Sequence, residues 1–299
     1  MPQLAVTIDL DGRDADEIEA ACFALGALSV VLTDQRDDAI LEPAPGEIRL
    51  WPATRLQAIF AAEIESETLL VELARITGCP RERYTLSTLE DRAWEREWLK
   101  DFKPLRFGTR LWICPTHARV DDPAACVVTL DPGLAFGTGT HPTTRLCLEY
   151  LDAQPAAALN GTVVDYGCGS GVLAIAALRL GAARALAHDI DPQALIATAD
   201  NAATNDVAGK IVTFESATDL VAAVAARGGA CVVLANILSG PLCELAPRLG
   251  PLLSPGGHLV LAGLLEEQAD EVIAAYAPYL PLQRWRSLDG WTCLAGEVR

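Results

Sequence analysis

This 299-residue chain is defined first by what it lacks. No stretch offers eighteen uncharged apolar residues, and the opening run from Met1 to Leu10 has no basic region ahead of an apolar one. Neither a membrane span nor a secretory signal is therefore expected. The nine cysteines are odd in number and contain no Cys-x-x-Cys pair, so they read as buried thiols of a reducing cytosol. His117, His141, His188 and His258 are scattered, without cysteine or carboxylate neighbours at ligand spacing, and no metal is expected. Positive charge is also scarce. Against 40 acidic residues stand 23 basic ones, a net charge of −17 that repels phosphate backbones and attracts a basic partner. Direct nucleic-acid contact is not expected.

What is present suits a packed protein: 51% of residues are hydrophobic and 21% charged, and no segment must be disordered. The length favours two domains over one. Residues 4–10 alternate as a strand does, and 14–26 begin with acidic caps, keep apolar residues at helical spacing and stop at Gly26. Strand patterns at 28–33, 56–61 and 83–89, with a helix at 65–77, complete the order βαββαβ. That order predicts a ferredoxin-like α+β domain over residues 1–90. Trp94, Trp98 and Phe102 then recur at helical spacing, predicting an amphipathic linker helix within 91–108. From 109 to 299 short apolar runs alternate with helical patterns, which predicts a mostly parallel sheet. The last two runs, near 281–287 and 291–298, are separated by only Leu288, Asp289 and Gly290 and predict a closing hairpin.

The chemistry concentrates in that second part. An apolar run to Val164 leads into Asp165, then glycines at 167, 169 and 171, then a helical pattern. A glycine-rich turn between a strand and a helix lets a ligand approach backbone N–H groups at the helix start. The dinucleotide fingerprint would need another small residue where Val172 stands; the observed form resembles instead the first motif of Rossmann-like methyltransferases. Further on, 24 residues past Asp165, the next strand ends at Asp189, placed to accept both hydroxyls of a ribose, while Asp191 before Pro192 reads as a helix cap. The run Val232 to Ala235 brings Asn236 to a strand's carboxyl end, where doubly wound sheets bind ligands. Many amino-group methyltransferases follow that residue with Pro-Pro and an aromatic. Ile237 and Leu238 stand here instead, which favours a flexible aliphatic amine over a flat acceptor. Leu130 to Thr144 forms a shaped loop rich in glycine, proline and threonine that lacks the Gly-Lys-Ser/Thr of a P-loop. It reads as a cover over the charged end of a cofactor, with Thr144 in the first turn of the next helix. His141 stands either as a general base or as a structural residue beside Pro142.

Together, Trp94 to Trp98, Leu111 to Pro115, Leu130 to Thr144, Val164 to Ala177, Asp189 to Gln193 and Ala235 to Leu242 resemble the PrmA family, methyltransferases of ribosomal protein eleven of the large subunit. Glu42 to Glu47 extends the likeness into the small domain. The resemblance implies an N-terminal substrate-recognition domain and a Rossmann-like class I methyltransferase domain using S-adenosyl-L-methionine. It also implies trimethylation of lysine and N-terminal amines, and cofactor contacts at Thr144, Gly167, Asp189 and Asn236; a monomeric, cytoplasmic enzyme is expected. His188 and Tyr166 depart from the residues usual at their positions. No catalytic base is assigned: Asn236 orients the amine, and in-line positioning carries the rate. Three other readings stay open: a methyltransferase with a different acceptor, a nicotinamide oxidoreductase, and a cofactor-binding protein without activity.

Overall fold

The computed structural model describes residues 3–36, 50–89, 103–131 and 140–298. The chain divides into two compact units, residues 1–95 and 96–299. In the first unit, strands β1 (Gln3–Asp9), β2 (Ser29–Asp34), β3 (Thr54–Ala61) and β4 (Tyr84–Leu89) form a sheet of order β2-β3-β1-β4. All its pairings are antiparallel, as the split βαβ order demands. The Ala15–Ala24 helix starts at Asp14, whose carboxylate accepts from the N–H groups of Asp16 and Glu17. The Ser66–Thr77 helix is capped in the same way by Glu65 and ends on the left-handed Gly78. Val6, Ile8, Leu56, Phe60, Leu70 and Leu73 fill the space between helices and sheet.

The second unit is built on seven strands: β8 (Thr162–Tyr166), β9 (Arg184–His188), β10 (Ile211–Phe214), β11 (Ala230–Asn236), β12 (Leu253–Leu265), β13 (Gln283–Leu288) and β14 (Trp291–Glu297). Their order is β10-β9-β8-β11-β12-β14-β13. The first five run parallel and β14 antiparallel to β12, so the expected hairpin closes the sheet. Every residue of β8 is buried, the mark of a strand covered on both faces. One face packs on the Pro142–Ala153 and Val172–Leu180 helices, the other on Ala217–Ala225, Ser239–Leu249 and Ala269–Tyr276. The mixed α/β class and the parallel-rich, Rossmann-like sheet agree with the sequence reading.

Two details differ from it. Leu105–Phe107, inside the segment read as a linker helix, is strand β5; the aromatic stripe from Trp94 to Phe102 lies outside the described residues, as does Glu42 to Glu47. The runs at 111–114 and 126–129 are β6 (Leu111–Cys114) and β7 (Cys126–Thr129), yet they join β5 in a separate three-stranded sheet rather than the main one. Polar side chains decide this. Asp152, at the end of its helix, accepts from the N–H groups of Thr109 (2.5 Å), Leu111 (3.0 Å) and Arg110 (3.3 Å) and so holds the β5–β6 turn. The Asn205 amide imitates a neighbouring strand for β7, accepting from Thr129 N–H and donating to Thr129 C=O, both at 2.7 Å.

Replacing Asp152 by Ala strands three backbone donors in a buried site and is expected to cost about 2–4 kcal/mol in denaturant unfolding. The fully buried Tyr276 hydroxyl has no hydrogen-bond partner among the described residues. Tyr276→Phe is therefore expected to leave stability unchanged or raise it by up to about 1 kcal/mol in the same measurement.

Candidate functional site

The carboxyl ends of β8, β9 and β11 meet at the turn of residues 167–171. Gly167 and Cys168 N–H both donate to His188 C=O, at 2.7 and 3.0 Å, so the turn crosses directly over the end of β9. Gly167 has φ +80°, and a Cβ there would lie 2.5 Å from Ile237 Cγ2. Thr198 Oγ1 donates to Gly169 C=O at 3.0 Å and Asn201 Nδ2 to Ser170 C=O at 2.8 Å, locking the turn from the Pro192–Thr204 helix. These two residues escaped the sequence reading. Their spacing of three on one helix face was the available signal.

Asp189 sits one residue past β9. Its two carboxylate oxygens accept from Gly169 N–H (2.9 Å) and Asp191 N–H (3.0 Å), which fixes the group beside the glycine turn. Asp191 accepts from Gln193 N–H and caps the helix, as its place before Pro192 suggested. Between the two carboxylates, Ile190 is 87% exposed, an aliphatic side chain presented to solvent at the mouth of the site. His188, the unusual residue at its position, is buried; its Nδ1 lies 2.9 Å from Phe214 C=O and its ring meets Tyr166 edge to face at 4.5 Å. With Nδ1 as donor the ring joins β9 to β10 and serves the sheet.

On the other side, His141 caps the Pro142–Ala153 helix through Nδ1, which accepts from Thr143 N–H. Burial holds its imidazole below the usual histidine range, in keeping with a neutral ring that accepts. Thr144, fully buried in the first turn, accepts from Asn236 Nδ2 at 3.3 Å. Thr144 and Asn236 thus come together, as do Gly167 and Asp189, and Ile237 links the pairs. The Asn236 Oδ1 atom is buried and has no partner among the described residues, which is costly unless a ligand donor meets it. Trp291, at the start of β14, places its ring 4.9 Å from that of His141. Nothing local marked that residue, because 150 positions separate the two. Of the loop read as a cofactor cover, residues 132–139 lie outside the described residues.

Asp165, beneath the turn, is fully buried. One oxygen accepts from Ala174 N–H at 3.0 Å and the other has no partner among the described residues. Burial pushes its carboxyl up from 3.8 to about 7, Asp189 adds to the rise, and the Ala174 N–H opposes it. The folded state therefore binds a proton that the unfolded chain has lost above 3.8. This stabilising difference is present at low pH and fades as pH climbs through that window towards about 7. Thermal unfolding followed from pH 5 to 8 is expected to show the unliganded protein losing stability as pH rises, and Asp165→Asn losing markedly less.

Known proteins are similar to this chain along its whole length. The family model for ribosomal protein L11 methyltransferase (PrmA) matches residues 2–299. The ribosomal protein L11 methyltransferase of Pseudomonas paraeruginosa is 46% identical over 299 residues, spanning 100% of this chain and 99% of its own. That of Azotobacter vinelandii is 45% identical over the full length of both. The crystal structure of ribosomal protein L11 methylase from Lactobacillus delbrueckii subsp. bulgaricus, 31% identical, superposes with a TM-score of 0.56 over 66% of this chain and 100% of its own. With residues 2–299 matched and full-length relatives at this identity, the chain belongs to the ribosomal protein L11 methyltransferase (PrmA) family.

Proposed function

We propose that the protein transfers methyl groups from S-adenosyl-L-methionine to ribosomal protein L11, trimethylating lysine side chains and N-terminal amines in the cytoplasm. The observation that carries the reading is the buried, unpartnered Asn236 Oδ1 beside a glycine turn and a fixed carboxylate. The residues fit the cofactor. Gly167 leaves a cradle that a Cβ would fill, Asp189 offers carboxylate oxygens for ribose hydroxyls, and exposed Ile190 offers an apolar surface for the base. We read Thr144 as lying towards the cationic end. Among the described residues, no helix is long and apolar enough to cross a membrane.

Bound there, S-adenosyl-L-methionine supplies a methyl group already activated by its positive sulfur. The protein's own work is positional. Asn236 Oδ1 accepts a hydrogen bond from the acceptor amine and turns the nitrogen lone pair inward, while Thr144 Oγ1 holds the amide in that orientation. A lysine amine must first lose its proton, at a cost of about 4 kcal/mol near pH ~7.4. Desolvation in the closed site offsets part of this. His141 is no candidate base in this reading, because its Nδ1 is committed to capping the helix. We read residues 1–90 as the substrate-recognition domain, the stretch from 91 up to β5 as its link to the transferase domain, and the working enzyme as a monomer. The acidic balance of the chain suits a basic protein acceptor.

Incubation with S-adenosyl-L-methionine and recombinant L11, followed by intact-mass measurement, is expected to show stepwise additions of one methyl mass. Asp189→Ala is expected to weaken cofactor binding about tenfold or more by calorimetry. Asn236→Ala is expected to lower kcat by about a hundredfold while cofactor binding survives. His141→Ala is expected to keep turnover within about tenfold of the parent. Abolished transfer with intact cofactor binding in His141→Ala would assign that residue the base and overturn the positional mechanism.

A further inference from the structure

The opposite end of the sheet carries an open depression of about 370 Å³. It lies about 13 Å along β12 from the level of Asn236, since His258 lines it and Ala262 pairs with Asn236. The floor is aromatic. Tyr150 and Trp285 meet edge to face at 5.3 Å, and the Tyr150 hydroxyl lies 3.0 Å from His258 Nδ1. Glu297 is the cross-strand partner of His258, so both project from the same sheet face into the depression, and its charge helps to push the Tyr150 phenol up to about 12 after burial has done most. Gln154 and Gln283 add amide groups at the rim.

The charges there do not cancel. Arg284, also on the rim, is matched by Asp270 at 2.7 Å, and Arg286, over the face of Trp285, by Glu149 at 2.6 Å. Glu297 makes no ion pair or hydrogen bond among the described residues and is exposed to incoming ligand. A carboxylate beside aromatic rings with amide carbonyls nearby is the chemistry that holds an organic cation. A metal ion has no such support: no group of three His, Cys, Asp or Glu gathers among the described residues. A net charge of −17 draws cations towards the protein from a distance.

We infer that this depression is a second recognition site, separate from the carboxyl-end site, which takes the ammonium or guanidinium head of an organic cation. Two sources present that chemistry, a lysine or arginine side chain of a basic polypeptide and a free polyamine. The site stands apart from the methyl-transfer reading, because none of its residues touches Asn236, Asp189 or the glycine turn.

The test follows the Trp285 indole N–H resonance, assigned with Trp285→Phe, in the full-length protein during titration with N-acetyl-arginine amide, a blocked peptide carrying three lysines, and spermidine of the same charge. A saturable shift is expected in the parent. Glu297→Gln should weaken it by about threefold or more, the modest effect of one exposed charge, and Arg284→Gln should strengthen it. Calorimetry with S-adenosyl-L-methionine should be unchanged in both variants, showing that the fold and the first site persist. Tighter binding of spermidine than of the peptide assigns the site to a free polyamine, and the reverse to a polypeptide. No saturable shift with any cation, or an equal shift in Glu297→Gln, overturns the inference.

Discussion

Ile237 occupies a space that exists only because two backbones beside it carry no side chains. A Cβ at Gly167 would strike its side chain, and a Cβ at Gly263, at φ +87°, would strike its carbonyl. That close approach joins β8, β11 and β12 at their carboxyl ends. It sets where β11 stops, and so where Asn236 reaches Thr144 and leaves its own oxygen free. The glycine turn, in effect, serves twice. Its amides clasp His188 and Asp189, and its missing side chain admits the residue that aims Asn236.

Burial then gives the same chemical group different roles. Asp189 lies at the edge of the site with both oxygens hydrogen-bonded, a rigid acceptor of fixed direction. Asp165 lies directly beneath, in a place so dry that neutrality rivals charge near pH 7. Asp152 is also buried but is surrounded by backbone donors, and it works as a structural anchor for the small sheet. Three carboxylates of one unit thus become a fixed acceptor, a buried acid and a staple through the number of donors each meets.

The sequence was most legible where function depends on local geometry. Strand, glycine turn, helix and strand-end carboxylate follow one another within thirty residues, and each step has a local cause in periodicity, capping or the need for positive φ. Legibility failed where partners are distant. The runs at 111–114 and 126–129 have strand patterns that are equally good in either sheet, and Asp152 and Asn205 settle the matter from far along the chain. Trp291 beside His141, and Thr198 and Asn201 behind the turn, were silent for the same reason.

By itself, the sequence determined the order of elements, the two-part organisation, the glycine turn with Asp189 at its side, and the family likeness, because short-range periodicity and turn chemistry are written in neighbouring residues. Only the tertiary structure decided which sheet each short strand joins, that the acid beneath the turn is dry, that the Asn236 oxygen has no partner among the described residues, and that an unmatched carboxylate faces an aromatic depression at the far end. Desolvation and hydrogen-bond satisfaction are properties of a site's whole surroundings, and those surroundings are assembled from segments that have no proximity until the chain has folded.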